Sequence, residues 1–176
     1  MAVDSTGTKT IIVVRHAKAE DSAATDHARG LTARGRADAV AAGEVVGEVL
    51  DPDAETVVLV SSATRALQTW EAAAGELTVA VEQRDLDELY EAGGGDVVDL
   101  LALLPDDVDA AIVVGHNPTM QTVVQQLDNG DDDDLTEQLD NRGLPTAGVA
   151  VLEHDGDWAD LEVGSCRLVR LEVPRG

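Results

Sequence analysis

Two of the four histidines in the chain stand directly behind a run of aliphatic residues. The first ends Ile11-Ile12-Val13-Val14-Arg15-His16. The second ends Ala110-Ala111-Ile112-Val113-Val114-Gly115-His116. A third aliphatic run, Val57 to Val60, leads into Ser61-Ser62, and Arg65 lies one helical turn further on. A lone histidine after a strand is ordinarily a turn residue, and a lone arginine there is ordinarily a surface charge. Four such groups converging in a chain of net charge -23 are another matter. Like charges cluster where an anion sits between them. A phosphoryl group fits best. The guanidinium fork matches phosphate oxygens, backbone N–H groups at helix starts add donors, and a neutral imidazole is a competent nucleophile toward phosphorus. Arg15, His16, Arg65 and His116 are therefore the candidate site.

The elements that must position these residues can be read from the hydropathy pattern. Residues 10–14, 57–60 and 110–114 are short all-apolar runs, the signature of strands covered on both faces. Thr32 is a helix N-cap, and Ala37, Val40, Ala41, Val45 and Val49 recur at helical steps behind it until Asp51-Pro52. A second helix is expected over 63–74, stopped by Gly75, and others over 97–104 and up to about Leu127. Residues 78–81 read as a short strand and residues 84–95 as a loop ending in three glycines. The acidic stretch at about 128–143 reads as a solvated loop. Its aspartates lack the spacing and closing Glu of a calcium loop. Residues 147–154, 158–163 and 166–173 read as a meander of edge strands. The alternation predicts an α/β three-layer sandwich, with a largely parallel central sheet flanked by helices, as one domain over residues 1–176. In such sheets ligands bind beyond the carboxyl ends of the strands.

Composition narrows the rest. There is no Phe, one Tyr and two Trp, so Val, Ala and Leu must fill the core. The charge of -23 argues against nucleic acid and anionic membrane as partners. Lys9 and Lys18 are the only lysines. Acid is spread along the whole chain, which fits a protein from a high-salt cytoplasm, where repulsion is screened within a few ångströms. An acidic regulatory protein is the other reading. Cys166 is the only cysteine, so neither an internal disulfide nor a thiolate cluster can form. No apolar run approaches a membrane span, and residues 1–10 lack the apolar stretch of a signal peptide. A cytoplasmic location, no metal, no cofactor and a monomer are the expectations. His27, in a polar loop, and His154, before Asp155-Gly156, read as surface residues.

The motifs also carry a resemblance. Val13-Val14-Arg15-His16-Ala17 resembles the RHG signature of the histidine phosphatase superfamily, the phosphoglycerate-mutase-like fold, with Ala17 in place of glycine. That form is familiar in SixA-like phosphohistidine phosphatases. Residues 31–39 resemble the LTxxGxxxA opening of the first helix, residues 60–69 the SSPxxRAxQT motif with Ala63 for proline, residues 113–120 the second histidine motif, and residues 144–153 the closing segment of SixA-like members. The resemblance implies that His16 is a nucleophile forming a phosphohistidine intermediate, and that Arg15, Arg65 and His116 hold the phosphoryl oxygens. Many members protonate the leaving group with a Glu in an LxE segment. Leu89-Tyr90-Glu91 fits that pattern, with Glu88 in the same loop; either could equally be a surface carboxylate. The substrate implied is phosphohistidine in a protein. A small phosphate ester, or a non-catalytic phosphate-binding module, remains open.

Overall fold

The computed structural model describes residues 7–176. Six strands form one sheet in the order β3-β2-β4-β1-β5-β6. The strands are β1 (Thr8–Arg15), β2 (Thr56–Ser61), β3 (Glu82–Leu86), β4 (Ala110–Gly115), β5 (Val149–Asp155) and β6 (Arg167–Glu172). β1, β2, β3 and β4 run parallel, while β5 and β6 add an antiparallel margin. The helices are α1 (Ala33–Val49), α2 (Thr64–Ala74), α3 (Gly94–Ala102), α4 (Thr119–Leu127) and α5 (Asp133–Arg142). The three-layer α/β expectation holds.

The central strands are buried on both faces, as their unbroken apolar runs require. Alternate residues serve opposite layers. Ile12, Val14, Val58, Val60, Ile112 and Val114 pack under α1 and α2, against Ala42, Val46, Trp70 and Ala73. Ile11, Val13, Val57, Leu59 and Val113 pack under α3, α4 and α5, against Leu101, Met120, Val124 and Leu139. β1 and β4 are neighbours, yet the helix after β1 lies on one face and the helix after β4 on the other. Their carboxyl ends thus flank a topological switch point, where chain connections diverge and leave a crevice.

α1 starts as expected, with Thr32 Oγ1 accepting from the Gly35 N–H at 3.0 Å. Its inward face differs from the expected one. The buried residues are Gly35, Asp38, Ala39, Ala42, Gly43, Val45 and Val46, whereas Ala37, Val40, Ala41 and Val49 are only partly covered. Small residues win the inner face because α1 and α2 approach backbone to backbone. A Cβ on Gly43 would lie 2.3 Å from the Ala73 carbonyl oxygen, and one on Gly35 would lie 2.1 Å from that of Lys18.

Four other expectations are corrected. Residues 78–81 form no strand; the edge strand is β3, four residues on, where register with β2 pairs Val57 with Glu82 and Ser61 with Leu86. An edge strand tolerates the charged sequence that obscured it. The acidic stretch is not all loop. Asp132 caps α5 by accepting from the Leu135 N–H, Asp133 and Asp134 fill the first turn, and Arg142 the last, so charge follows the helix dipole. Residues 158–160 form a 3-10 turn rather than a strand, with Trp158 buried and its indole N–H donated to the Val108 carbonyl at 2.8 Å. His154 is buried, its ring nitrogens 3.1 Å and 3.0 Å from the carbonyl oxygens of Ser165 and Asp157.

Candidate active site

The three neighbouring strands β2, β4 and β1 end side by side at Ser61, Gly115 and Arg15. Backbone bonds fix the residues just beyond these ends. The His16 N–H donates to the Gly115 carbonyl at 2.9 Å, and the Ala147 N–H donates to the carbonyls of Arg15 and His16 at 3.1 Å each. His16 is thereby clamped between the ends of β4 and β5. Ala147 sits at φ 58° to make this contact, in the left-handed region that non-glycine residues rarely enter. On the other side Thr69 ties α2 to the same turn, its hydroxyl accepting from the Ala17 N–H at 2.9 Å.

The four side chains singled out in the sequence come together here. His16 and His116 face one another with ring centroids 5.2 Å apart. His16 Nδ1 lies 2.8 Å from the Ala17 carbonyl oxygen. A carbonyl can only accept, so Nδ1 carries the proton and Nε2 presents its lone pair. Burial, with the charges of Arg65 and Arg15 added, pushes the imidazole down to about 4. His16 is therefore neutral near neutral pH. His116 is pushed down to about 3, by burial first and then by His16 and Arg65. Its Nε2 is 2.7 Å from Ser61 Oγ.

The arginines are held at their tips and open at their necks. Arg15 Nη1 donates to the Leu144 carbonyl at 3.2 Å. Arg65, 6% exposed, donates from Nη1 to the Asp26 carbonyl at 2.9 Å and from Nη2 to its carboxylate at 3.2 Å. Arg15 Nε, Arg65 Nε and His116 Nδ1 are buried and have no partner in the protein. Unsatisfied buried donors are costly and rare. Two guanidinium N–H donors and one imidazole nitrogen, on three side chains that approach His16, form a set that an oxyanion would satisfy. Among the described residues no group of three His, Cys, Asp or Glu side chains is arranged to hold a metal.

Other residues at the site escaped the sequence reading. Loop 16–32 folds back over α2 through His27, whose Nε2 is 3.1 Å from Ser62 Oγ and whose carbonyl accepts from the Thr64 N–H. His27 is half-buried rather than a free surface residue. Tyr90 packs edge-on against His27 at 4.9 Å and His116 at 5.7 Å, and its hydroxyl donates to Asp26 at 2.5 Å. As the only tyrosine of a chain without phenylalanine, Tyr90 was a signal present in the sequence. Asp26 offered none among so many acids. Glu91 and Glu88, the candidate acids, are exposed and line a separate groove of about 450 Å³ with Asp87, Asp96, Asp99 and Leu103.

Comparison with known proteins agrees with this geometry. Residues 11–102 match the model of the histidine phosphatase superfamily (branch 1). The uncharacterized protein Rv1276c of Mycobacterium tuberculosis is 36% identical over 165 residues, covering 92% of this chain and 100% of that protein. The putative phosphohistidine phosphatase SixA of Nakamurella multipartitia superposes with a TM-score of 0.82 at 31% identity, over 96% of this chain and 97% of that one. The protein histidine phosphatase SixA complexed with tungstate shares the fold, with a TM-score of 0.73 at 24% identity, over 93% of this chain and 96% of that one. The chain is thus a member of the histidine phosphatase superfamily, of SixA type.

Proposed function

We propose that the protein is a metal-independent phosphatase acting on phosphohistidine in a protein, with His16 as the residue that carries the phosphoryl group. One observation bears most of the weight. His16 donates from Nδ1 to the Ala17 carbonyl, which leaves the Nε2 lone pair to attack, while the side chains beside it carry three buried nitrogens without partners, Arg15 Nε, Arg65 Nε and His116 Nδ1. In the first step Nε2 bonds to phosphorus as the bond to the leaving group breaks. Arg15, Arg65 and His116 hold the equatorial oxygens and stabilise the charge they carry in the transition state. In the second step water attacks phosphorus, the N–P bond breaks back onto Nε2, and inorganic phosphate leaves. Two guanidinium groups supply the positive charge that other phosphoryl-transfer sites draw from a metal.

The substrate class rests on two supports. The SixA structure from Nakamurella multipartitia carries a putative phosphohistidine phosphatase designation, and the tungstate-bound SixA is named a protein histidine phosphatase. The site also opens to solvent beside Arg65, where the Asp26 side chain is 56% exposed, so a phosphoryl group carried on a larger molecule can reach it. The experiment is a turnover assay on a histidine-phosphorylated protein beside a panel of phosphate esters, each with and without EDTA. Release of phosphate from phosphohistidine, unaffected by EDTA, is expected. Turnover confined to esters would make the protein a small-molecule phosphomonoesterase, and loss with EDTA would end the metal-independent mechanism.

A further inference from the structure

We infer that Asp26 and Tyr90 form a leaving-group subsite that selects a phosphorylated imidazole over a phosphate ester, an inference that rests on the phosphohistidine reading. Asp26 stands at the mouth of the site. Its side chain is 56% exposed, against 7% for the Arg65 beside it. Three donors fix the carboxylate: Arg29 Nε on Oδ1 at 3.0 Å, Arg65 Nη2 on Oδ2 at 3.2 Å, and the Tyr90 hydroxyl on Oδ2 at 2.5 Å. A carboxylate accepts at about four positions. One position, on Oδ1, is left for a further donor. Tyr90 and Arg29, helped by Arg65, also hold the Asp26 carboxyl well below the usual carboxylate range. Asp26 therefore has no proton to give a leaving group, but it has an acceptor to offer.

Beside the carboxylate lies an aromatic wall. The Tyr90 ring meets His27 and His116 edge-on, with Arg65 Cζ 5.9 Å from its centroid. For a phosphate ester this setting is unfavourable. A negative carboxylate next to the phosphate-binding Arg65 opposes both the phosphate and the negative charge that builds on a departing oxygen. It becomes favourable when the leaving group is a flat ring bearing an N–H.

Phosphohistidine is such a group. When the ring nitrogen away from phosphorus is protonated, an adjacent carboxylate stabilises that form. Bond changes then balance without an acid. The His16 Nε2 lone pair forms the new N–P bond. The old P–N bond breaks with its electrons staying on the substrate nitrogen. The ring departs as neutral imidazole, because its other nitrogen already holds a proton. His16 keeps its own proton on Nδ1, donated to the Ala17 carbonyl, and the substrate ring keeps the proton on its far nitrogen, donated to the Asp26 carboxylate. The phosphoryl group passes between two like rings. Glu88 and Glu91 have no part in this step, in keeping with their place in another groove.

The test compares wild type with Asp26→Asn on a histidine-phosphorylated protein and on p-nitrophenyl phosphate. The substitution keeps the shape and removes the charge. On phosphohistidine kcat/KM should fall about 10–100-fold, the scale of one lost charge-assisted hydrogen bond. On p-nitrophenyl phosphate the loss should be much smaller, so that the ratio of the two kcat/KM values falls, because the missing charge no longer opposes the departing phenolate. Tyr90→Phe, which keeps the ring and drops one donor, should shift selectivity the same way by less, and it carries the comparison if Asp26→Asn does not fold. Equal losses on both substrates would reduce Asp26 to a prop for Arg65 and overturn the inference while leaving the phosphohistidine reading intact. Unchanged phosphohistidine turnover would overturn it too. A wild-type enzyme that cleaves only esters would remove both.

Discussion

His16 and His116 confront each other across the switch point of the sheet, 5.2 Å between ring centroids and inclined by 53°. Each ring is anchored through one nitrogen and open at the other: His16 is tied by Nδ1 to the Ala17 carbonyl, His116 by Nε2 to Ser61. Opposite anchoring gives two adjacent imidazoles different work. The His16 Nε2 lone pair can attack, while His116 Nδ1 can donate to an oxyanion when Ser61 supplies the proton to Nε2.

Replacing the attacking ring should be catastrophic for turnover and mild for folding. His16→Ala is expected to lower kcat/KM by roughly 10⁴-fold or more, the scale lost with a covalent nucleophile. Rapid quenching of wild type under non-acidic conditions should trap phosphate on His16 Nε2. Near-normal turnover by His16→Ala would sink the covalent mechanism.

The anion-binding claim is separable from catalysis. Tungstate or phosphate should raise the melting temperature of the protein, by mass action on the folded state. Arg65→Lys loses the unpartnered Nε and the rigid fork, so oxyanion affinity should drop about 10–100-fold in calorimetry. Undiminished affinity in Arg65→Lys would place the anion elsewhere.

The histidines also set a pH dependence. In the unfolded chain both rings titrate near 6.5, while in the folded protein burial holds His16 at about 4 and His116 at about 3. Between these values the unfolded state binds more protons than the folded one. Their contribution to stability is therefore complete above about pH 6.5 and is lost progressively as pH falls toward 3. Urea midpoints should decline over this range, and the decline should be shallower in a His16→Gln, His116→Gln double variant. Nitrogen NMR of wild type at pH 5.5 should find His16 neutral and protonated at Nδ1. A charged His16 at that pH would contradict the geometry.

The close approach of α1 and α2 gives a test of the core. Gly43→Ala places a Cβ 2.3 Å from the Ala73 carbonyl oxygen, so it should cost at least the upper end of the roughly 1–3 kcal/mol typical of overpacking. Gly47→Ala makes only ordinary contacts, with Leu77 Cδ2 at 3.5 Å and the Glu76 carbonyl oxygen at 3.7 Å, and should stabilise by roughly 0.5–1 kcal/mol through helix propensity. Thermal melts that rank the two variants the other way would refute the packing.

Surface charge makes the last prediction. With -23 net charge, repulsion among carboxylates should weaken the fold at low ionic strength and be screened within about 3 Å at molar salt. Melting temperature should rise steeply from low to molar KCl, while apparent affinity for a phosphorylated substrate falls modestly. A flat or falling melting curve would remove the high-salt reading.

Much of this protein is local in origin, and so legible along the chain. A run such as Ile11 to Val14 can only be buried on both faces, because every residue in it is apolar. Runs of that kind separated by helical periodicity force a parallel sheet, and a parallel sheet puts whatever ends its strands at one edge. Strand pattern alone therefore makes neighbours of Arg15, His16, Ser61 and His116, and the spacing of Arg65 in the first turn of α2 adds it to them. Tertiary contact alone decided the rest. Asp26 is one acid among 35 Asp and Glu residues. It enters the site only because the His27 backbone binds Thr64 and so folds loop 16–32 across α2. Burial of His154 depends on carbonyls of Asp157 and Ser165 that no pattern around it announces. β3 is a strand because β2 offers it a register, and α5 is a helix because its aspartates sit where a helix start favours negative charge and Leu139 finds the core. Residue type decides these positions weakly, since a polar side chain has no preferred face until a partner supplies one.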